Sequence, residues 1–159
     1  MLLQRKPSRW TCLPVSFAMA LGIAVEDIFE ELGHDGSLIQ WPDLPEPMCR
    51  RGFHIQEMIH IALRRGFAVT PFELAPVLAI YDKRYYFDAK WTAFADQVAD
   101  SIGVLEGEGV HTRHAVAYYY GQIFDPDNGV YPYSKDACEE RHFYANCAWR
   151  IDRRQGVQP

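Results

Sequence analysis

The 159-residue chain has few cysteines and no long apolar run. Its four cysteines form no Cys-x-x-Cys pair and are too sparse for a disulfide scaffold, so we expect reduced thiols. No apolar run approaches the length of a membrane-spanning helix, and the residues before Pro7 lack the apolar stretch of a secretory signal. We therefore expect a cytoplasmic location without membrane insertion.

The composition is that of an ordinary globular domain. Hydrophobic residues make up 48% and charged residues 23%, and 159 residues suffice for one core but hardly for two. Residues 1–159 are therefore expected to form a single domain. Sixteen basic and twenty-one acidic side chains give a formal charge of −5. This charge argues against nucleic acid as a partner, because phosphate binding requires a basic face.

Apolar residues at helical spacing occur mainly in the first part of the chain. They predict helices over Pro14–Leu21, Val25–Leu32, His54–Arg65 and Trp91–Asp100. The later segments favour strands, namely Phe67–Phe72, Gly103–Gly107, a hairpin over His114–Phe124, and Phe143–Ile151. Early helices and late antiparallel strands indicate an α+β fold, with N-terminal helices packed on a C-terminal antiparallel sheet.

Two segments are predicted to be loops. Gly33–Met48 is too aromatic and too rich in proline for a flexible linker, so we expect an ordered surface loop. Gly103–Gly109, where a strand is also predicted to begin, has closely spaced glycines but not the lysine and hydroxyl of a phosphate-binding loop. We interpret these glycines as a flexible loop near the functional site.

One cysteine lies where a reactive thiol is expected. Cys12 precedes Pro14 and the apolar residues of the first predicted helix, which places it in the first turn. The unpaired N–H groups and the positive dipole end of a helix favour the thiolate, which is the nucleophilic form. A cysteine in an apolar helix is more often an inert core residue, so a catalytic role requires a base elsewhere in the chain. The other three cysteines are expected to be structural: Cys49, Cys138 and Cys147.

The predicted hairpin supplies a base and a carboxylate. Residues that face each other across two antiparallel strands have numbers with a constant sum, so the turn decides what lies opposite His114. A turn centred near Tyr119–Tyr120 places Asp125 there, whereas a turn nearer Gly121 places Asp127 there. Both carboxylates face the side of the sheet that carries His114. Histidine titrates near neutrality, which makes His114 the candidate base.

No metal or cofactor is predicted. His111 and His114 would face opposite sides of a strand, which does not suit chelation. Asp125–Gly129 lacks the remaining loop and the terminal glutamate of a calcium site. We interpret it as a turn, because its proline, asparagine and glycine supply the necessary dihedral angles.

The residues around these candidates resemble a known family. The resembling stretches are Gln4 with Trp10–Met19, His114–Ala117 and Ile123–Pro126. The chain resembles papain-like cysteine peptidases, in particular the bacteriocin-processing (double-glycine leader) peptidase family and its relatives. In such enzymes the nucleophile, the base and the orienting acid follow one another in this order.

The resemblance implies a role for each matching residue. Cys12 is the nucleophile, His114 is the base, and Asp125 orients the base, with Asp127 as the alternative orienter. Gln4 is the oxyanion donor, because the family has a glutamine shortly before its cysteine. The whole chain is then a single papain-like cysteine peptidase domain.

The predicted function is hydrolysis of a peptide or isopeptide bond through a Cys12 thioester, with a protein or peptide as substrate. Acyl transfer, as by a transglutaminase, or glutamine deamidation with the same triad is one alternative, because thioester chemistry does not specify what attacks the thioester. A catalytically inactive papain-like module that binds protein is another.

Overall fold

The computed structural model describes residues 1–38, 51–73, 94–110 and 113–154. Its N-terminal part contains three helices: α1 (Cys12–Leu21), α2 (Val25–Leu32) and α3 (Ile55–Arg64). Gly22 and Gly33 end α1 and α2 in the left-handed conformation, with φ of 73° and 74°, which glycine adopts without steric cost. Residues 94–100 are also helical, and Lys135–Glu140 forms a further short helix. The helices predicted for the N-terminal part are confirmed.

Six strands form one antiparallel sheet in the described residues. They are β1 (Phe67–Glu73), β2 (Ile102–Glu108), β3 (Arg113–Tyr119), β4 (Gln122–Asp125), β5 (Gly129–Pro132) and β6 (Tyr144–Arg153). The strand order is β1-β6-β2-β3-β4-β5, and every neighbouring pair is antiparallel. Pro71 lies in β1, at the edge of this sheet, which is where strands tolerate proline.

The sheet carries a hydrophobic cluster on each face. Successive residues of a strand point to opposite faces, and β3 follows this rule. Ala115 and Ala117 belong to the cluster formed with α1, α2 and α3. Val116 and Tyr118 belong to the cluster that contains Phe94 and the short C-terminal helix. The predicted α+β fold, with N-terminal helices packed on the sheet, is therefore confirmed.

The prediction of a flexible loop at Gly103–Gly109 is wrong, because Ile102–Glu108 is the strand β2. Strand β2 lies in the interior of the sheet, between β6 and β3. A Cβ atom on Gly103 would overlap the carbonyl oxygen of Trp149, and one on Gly107 would overlap that of Tyr144. These two glycines therefore permit close approach of β6 and do not provide flexibility.

Several predictions fall wholly or partly outside the described residues. These are residues 39–48 of the loop Gly33–Met48, residues 91–93 of the helix Trp91–Asp100, and the single residues Cys49 and His111. In the described part of the chain, none of the helices alone has the length and apolar character of a membrane span. Helices α1 and α2 meet these criteria only as a pair, with a bend of 113° between them.

Candidate active site

Cys12 is the first residue of α1 and is partly exposed. Pro14 and the residues that follow it to Met19 are buried, so the helix is fixed in the core while its N-terminus reaches the surface. The first N–H groups of a helix have no acceptor within the helix, and Pro14 has no N–H to satisfy. Cys12 thus lies at the N-terminus of α1, the end of a helix where backbone N–H groups lack acceptors within the helix.

His114 lies at the beginning of β3 and is bound to Asp125 at the end of β4. The distance between Nε2 of His114 and Oδ1 of Asp125 is 2.9 Å. The His114 side chain is only 10% exposed and that of Asp125 is fully buried. Cys12 lies close enough to His114 to contribute to the raised pKa of the imidazole. Because Asp125 occupies Nε2, the nitrogen available to Cys12 is Nδ1.

The register of the hairpin explains how Asp125 reaches His114. The pairs Tyr119 with Gln122 and Ala117 with Phe124 place the turn at Tyr120–Gly121. Continued to the base of the hairpin, this register would set Asp127 opposite His114. Strand β4 ends at Asp125, however, so Asp127 belongs to the turn and not to the strand. Asp125 lies two residues before the position opposite His114, on the same face of the sheet, and contacts the imidazole diagonally.

Asp125 is held by the turn that follows β4 and by Tyr131. Its Oδ1 accepts hydrogen bonds from the backbone N–H groups of Asp127 (2.7 Å) and Asn128 (3.2 Å). Its Oδ2 accepts from Nδ2 of Asn128 (2.9 Å) and from the Tyr131 hydroxyl (3.2 Å). The Asp-Pro-Asp-Asn-Gly sequence indicates a turn of this kind, but nothing local indicates Tyr131.

The buried pair has strongly shifted ionisation. Burial lowers the pKa of His114, but hydrogen bonds to Asp125 and Cys12 and the charges of these two groups outweigh it and raise the pKa to about 9. Burial raises the pKa of Asp125, but the hydrogen bond to His114 and its charge, with the bonds from Asn128 and Asp127, lower it to about 2. At neutral pH the pair is therefore an imidazolium and a carboxylate.

The structure does not join Gln4 to this group in any hydrogen bond among the described residues. Its Nε2 donates to the carbonyl oxygen of Ile23 (2.6 Å), and its Oε1 accepts from the backbone N–H of Val25 (3.0 Å). Val25 is the first residue of α2, so Gln4 satisfies one of the free N–H groups at the beginning of this helix. The amide of Gln4 thus supports the connection between α1 and α2. The role of Gln4 as oxyanion donor stays a prediction from the sequence alone.

Asp127 is a second carboxylate near the imidazole of His114. Its Oδ2 is 4.0 Å from Nδ1 of His114, beyond hydrogen-bonding distance. The same oxygen is 2.5 Å from Nζ of Lys6. Arg5 donates from Nη1 to the backbone carbonyl oxygen of Asp127 at 2.8 Å. Residues 5–6 therefore border the candidate site, although their sequence indicates only surface charge.

One group of side chains has the spacing of a metal site. Ligand atoms of His114, Asp125 and Asp127 lie within 4.8 Å of one another. Nε2 of His114 is already bonded to Asp125, and both oxygens of Asp125 accept hydrogen bonds from the turn and from Tyr131. Hydrogen bonding within the protein therefore accounts for this cluster.

Cys138 and His34 differ from Cys12 and His114 in their surroundings. Cys138 is fully buried, and burial with the nearby Asp125 charge raises the pKa of its thiol to about 12, in spite of a backbone hydrogen bond and Arg141. Such a thiol is unreactive near neutral pH. His34 is bonded to Glu57 at 2.9 Å, which ties α3 to the segment after α2.

Neither a family model nor a curated protein matches the chain. Among solved structures, a double glycine motif protease from an AMS/PCAT transporter, in complex with the leader peptide, is similar with a TM-score of 0.58 at 10% identity. The match covers 96% of this chain and 91% of that one. The peptidase domain of Streptococcus ComA, a bi-functional ABC transporter involved in a quorum sensing pathway, has a TM-score of 0.53 at 14% identity. Here the coverage is 96% and 98%. At the level of the fold, this chain is thus similar to double-glycine peptidase domains, as the sequences around its cysteine and histidine predicted.

Proposed function

We propose that the chain is a cysteine peptidase, in which Cys12 is the nucleophile, His114 the general base and acid, and Asp125 the residue that orients His114. The observation that carries this proposal is the bond between His114 and the buried Asp125, with 2.9 Å between Nε2 and Oδ1, at an imidazole whose pKa is also raised by Cys12. A protonated histidine beside a cysteine stabilises the thiolate, so the resting site holds the nucleophile and the proton donor together.

The first step forms the thioester. The Cys12 thiolate attacks the carbonyl carbon of the scissile bond, and a carbon–sulfur bond forms. As the carbon–nitrogen bond breaks, the His114 imidazolium gives its Nδ1 proton to the leaving amine. The raised pKa of His114, about 9, keeps this proton on the ring at neutral pH before the substrate arrives.

The second step releases the acid. Neutral His114 takes a proton from water, the resulting hydroxide attacks the thioester carbon, and the Cys12 sulfur leaves as the thiolate. In both steps negative charge develops on the carbonyl oxygen. The backbone N–H of Cys12, at the beginning of α1, is the donor we assign to it in place of Gln4.

We propose a peptide substrate. One structural neighbour is held in complex with a leader peptide, and this chain shares its fold over nearly the whole length. The described cysteines Cys12, Cys138 and Cys147 are not joined in disulfides, as the mechanism requires of Cys12. A reducing compartment such as the cytoplasm, which the sequence predicts, would keep Cys12 in this form.

Alkylation tests the nucleophile and its base. We expect iodoacetamide at pH 7 to modify Cys12 in preference to the other thiols, as measured by mass spectrometry of peptides. The His114→Ala variant should lose this preference. His60→Ala is the matched control, because His60 is exposed on α3 and should leave the rate unchanged. Equal and slow alkylation of all thiols would indicate the inactive binding module.

Acylation tests the thioester and identifies what resolves it. With p-nitrophenyl acetate we expect an acetyl group on Cys12 and a burst of p-nitrophenolate, followed by slow turnover as water releases acetate. If an added amine is acetylated much faster than acetate forms, the site is an acyltransferase. An enzyme without any burst or acetyl adduct would contradict covalent catalysis by Cys12.

A further inference from the structure

The ion pair between Lys6 and Asp127 lies directly beside the imidazole of His114. Nζ of Lys6 and Nδ1 of His114 are 2.5 Å and 4.0 Å from one and the same atom, Oδ2 of Asp127. The Lys6 and Asp127 side chains are 22% and 37% exposed, so they lie at the mouth of the site. Asp127 is thus a second carboxylate close to Nδ1 of His114, the nitrogen that exchanges a proton with Cys12 in the proposed mechanism.

The backbone of Asp127 is fixed, whereas its carboxylate depends on Lys6. The backbone N–H of Asp127 donates to Asp125 and its carbonyl oxygen accepts from Arg5, at 2.7 Å and 2.8 Å. A side-chain rotation that moves Oδ2 by about 1 Å would bring it within hydrogen-bonding distance of Nδ1. There it would accept the proton that belongs, in the proposed mechanism, between His114 and Cys12.

We propose that Lys6 is a positioning residue: by binding Oδ2 of Asp127, it holds this carboxylate away from Nδ1 of His114 and leaves that nitrogen to Cys12. The inference rests on the proposed function in so far as it assigns Nδ1 to Cys12. The charged and titratable groups that face the imidazole in the described residues are Asp125 from β4, Asp127 from the following turn, Cys12 from α1, and Lys6 and Arg5 through Asp127. The Phe143 ring also packs against the imidazole, at 87° to it and with 5.9 Å between centroids.

The test compares Lys6→Met in two backgrounds. The readout is the titration midpoint of His114, followed by NMR of the ring carbons in the full chain and assigned with His114→Ala. In the otherwise unchanged protein, Lys6→Met should raise the midpoint by about 0.5 to 1 pKa unit, because the freed carboxylate binds the imidazolium. In the Asp127→Asn background, the same substitution should leave the midpoint unchanged. Lys6→Arg, which keeps the ion pair, should retain the original midpoint.

Two results would overturn the proposal. One is an unchanged midpoint in Lys6→Met. The other is a shift of equal size in both backgrounds, which would mean that the ammonium group acts on His114 directly and not through Asp127. The ion pair is at the surface, so we expect every variant to fold, and circular dichroism checks this.

A second readout separates this inference from the proposed function. Alkylation of Cys12 at pH 7 should slow roughly three- to tenfold in Lys6→Met, and should not change when Lys6→Met is added to Asp127→Asn. If the midpoints behave as expected but alkylation does not depend on His114, Lys6 restrains Asp127 and the proposed catalysis is wrong. If alkylation depends on His114 but the midpoints do not respond to Lys6, the catalysis stands and the role of Lys6 is wrong.

Discussion

Gln4 shows how a residue near a candidate nucleophile can have a structural role. Both polar atoms of its amide bind backbone groups between α1 and α2, at 2.6 Å and 3.0 Å. Its backbone N–H also lies 3.2 Å from the sulfur of Met19, a buried residue of α1. Gln4 therefore fixes the chain before Cys12 to α1, which carries Cys12, and to the beginning of α2.

Replacing Gln4 by leucine distinguishes this role from oxyanion stabilisation. We expect the free energy of unfolding to fall by about 1–3 kcal/mol, because two partly buried backbone groups lose their partner. The rate of Cys12 acylation by p-nitrophenyl acetate should stay within about threefold, whereas loss of an oxyanion donor costs roughly a hundredfold or more. Denaturant unfolding and the burst rate measure the two effects. A hundredfold slower burst with unchanged stability would restore Gln4 to the site.

The orientation of the Asp125 carboxylate is fixed by hydrogen bonds to both of its oxygen atoms. Oδ1 has three donors around it and Oδ2 has two, from His114, from the turn and from Tyr131. Burial raises the pKa of Tyr131, and so does the Asp125 charge, so its hydroxyl remains a donor at neutral pH. The carboxylate therefore has one favourable rotamer, and this rotamer fixes the plane of the imidazole.

At the scale of elements, local patterns predict those parts of the fold whose causes are local. Helices α1 and α2 could be predicted from their own segments of sequence. Each segment contains the helical spacing of apolar residues and the glycine that ends the helix. Strand β2 was ambiguous because the need for its glycines arises from Trp149 and Tyr144, about forty residues further along the chain. No window around Gly103 contains that information.

Strand β2 can be tested through one of these glycines. A Cβ atom at Gly107 would overlap backbone atoms of Tyr144 and Ala145, which cannot move without breaking the pairing of β2 with β6. We expect Gly107→Ala to lower the free energy of unfolding by about 2 kcal/mol or more, and denaturant unfolding measures it.

Gly22→Ala is the matched control for that substitution. Gly22 has φ of 73° and nothing within 4 Å of an added Cβ, so alanine there meets only the backbone strain of the left-handed conformation, about 1 kcal/mol. If Gly107→Ala destabilised the protein no more than Gly22→Ala, β2 and β6 would not be in close contact.

In the candidate site, too, the sequence predicts the local features but not the contacts between distant residues. The alternation of side chains in a hairpin was enough to set Asp125 and Asp127 on the side of His114, and both carboxylates do lie beside the imidazole. The choice between them depended on where β4 ends, which the turn sequence alone did not fix. The contact of Lys6 with Asp127 joins residues 121 positions apart and has no counterpart in local sequence.

At the scale of the whole molecule, the pair formed by His114 and Asp125 couples stability to pH. The pKa of His114 is raised from 6.5 to about 9 in the folded protein. Its stabilising contribution is thus fully present below pH 6.5 and is lost as the pH rises through 9. The pKa of Asp125 is lowered from 3.8 to about 2, so its contribution is present above pH 3.8 and is lost as the pH falls through 2. Both shifts describe one interaction, which is complete between about pH 4 and 6.5.

We therefore expect the free energy of unfolding to decline by about 2 kcal/mol between pH 6.5 and 9, as measured by denaturant unfolding at closely spaced pH values. Asp125→Asn removes the carboxylate and should markedly reduce this decline, leaving only the contribution of Cys12, while lowering stability at pH 6. The comparison has to stop near pH 9, because burial raises the pKa values of Cys138 and of the tyrosines Tyr118, Tyr131 and Tyr133. Their ionisation in the unfolded chain lowers the stability of every variant at higher pH. An identical decline in Asp125→Asn would show that a different group binds the proton, and the ion pair at the centre of the proposed mechanism would then lack thermodynamic support.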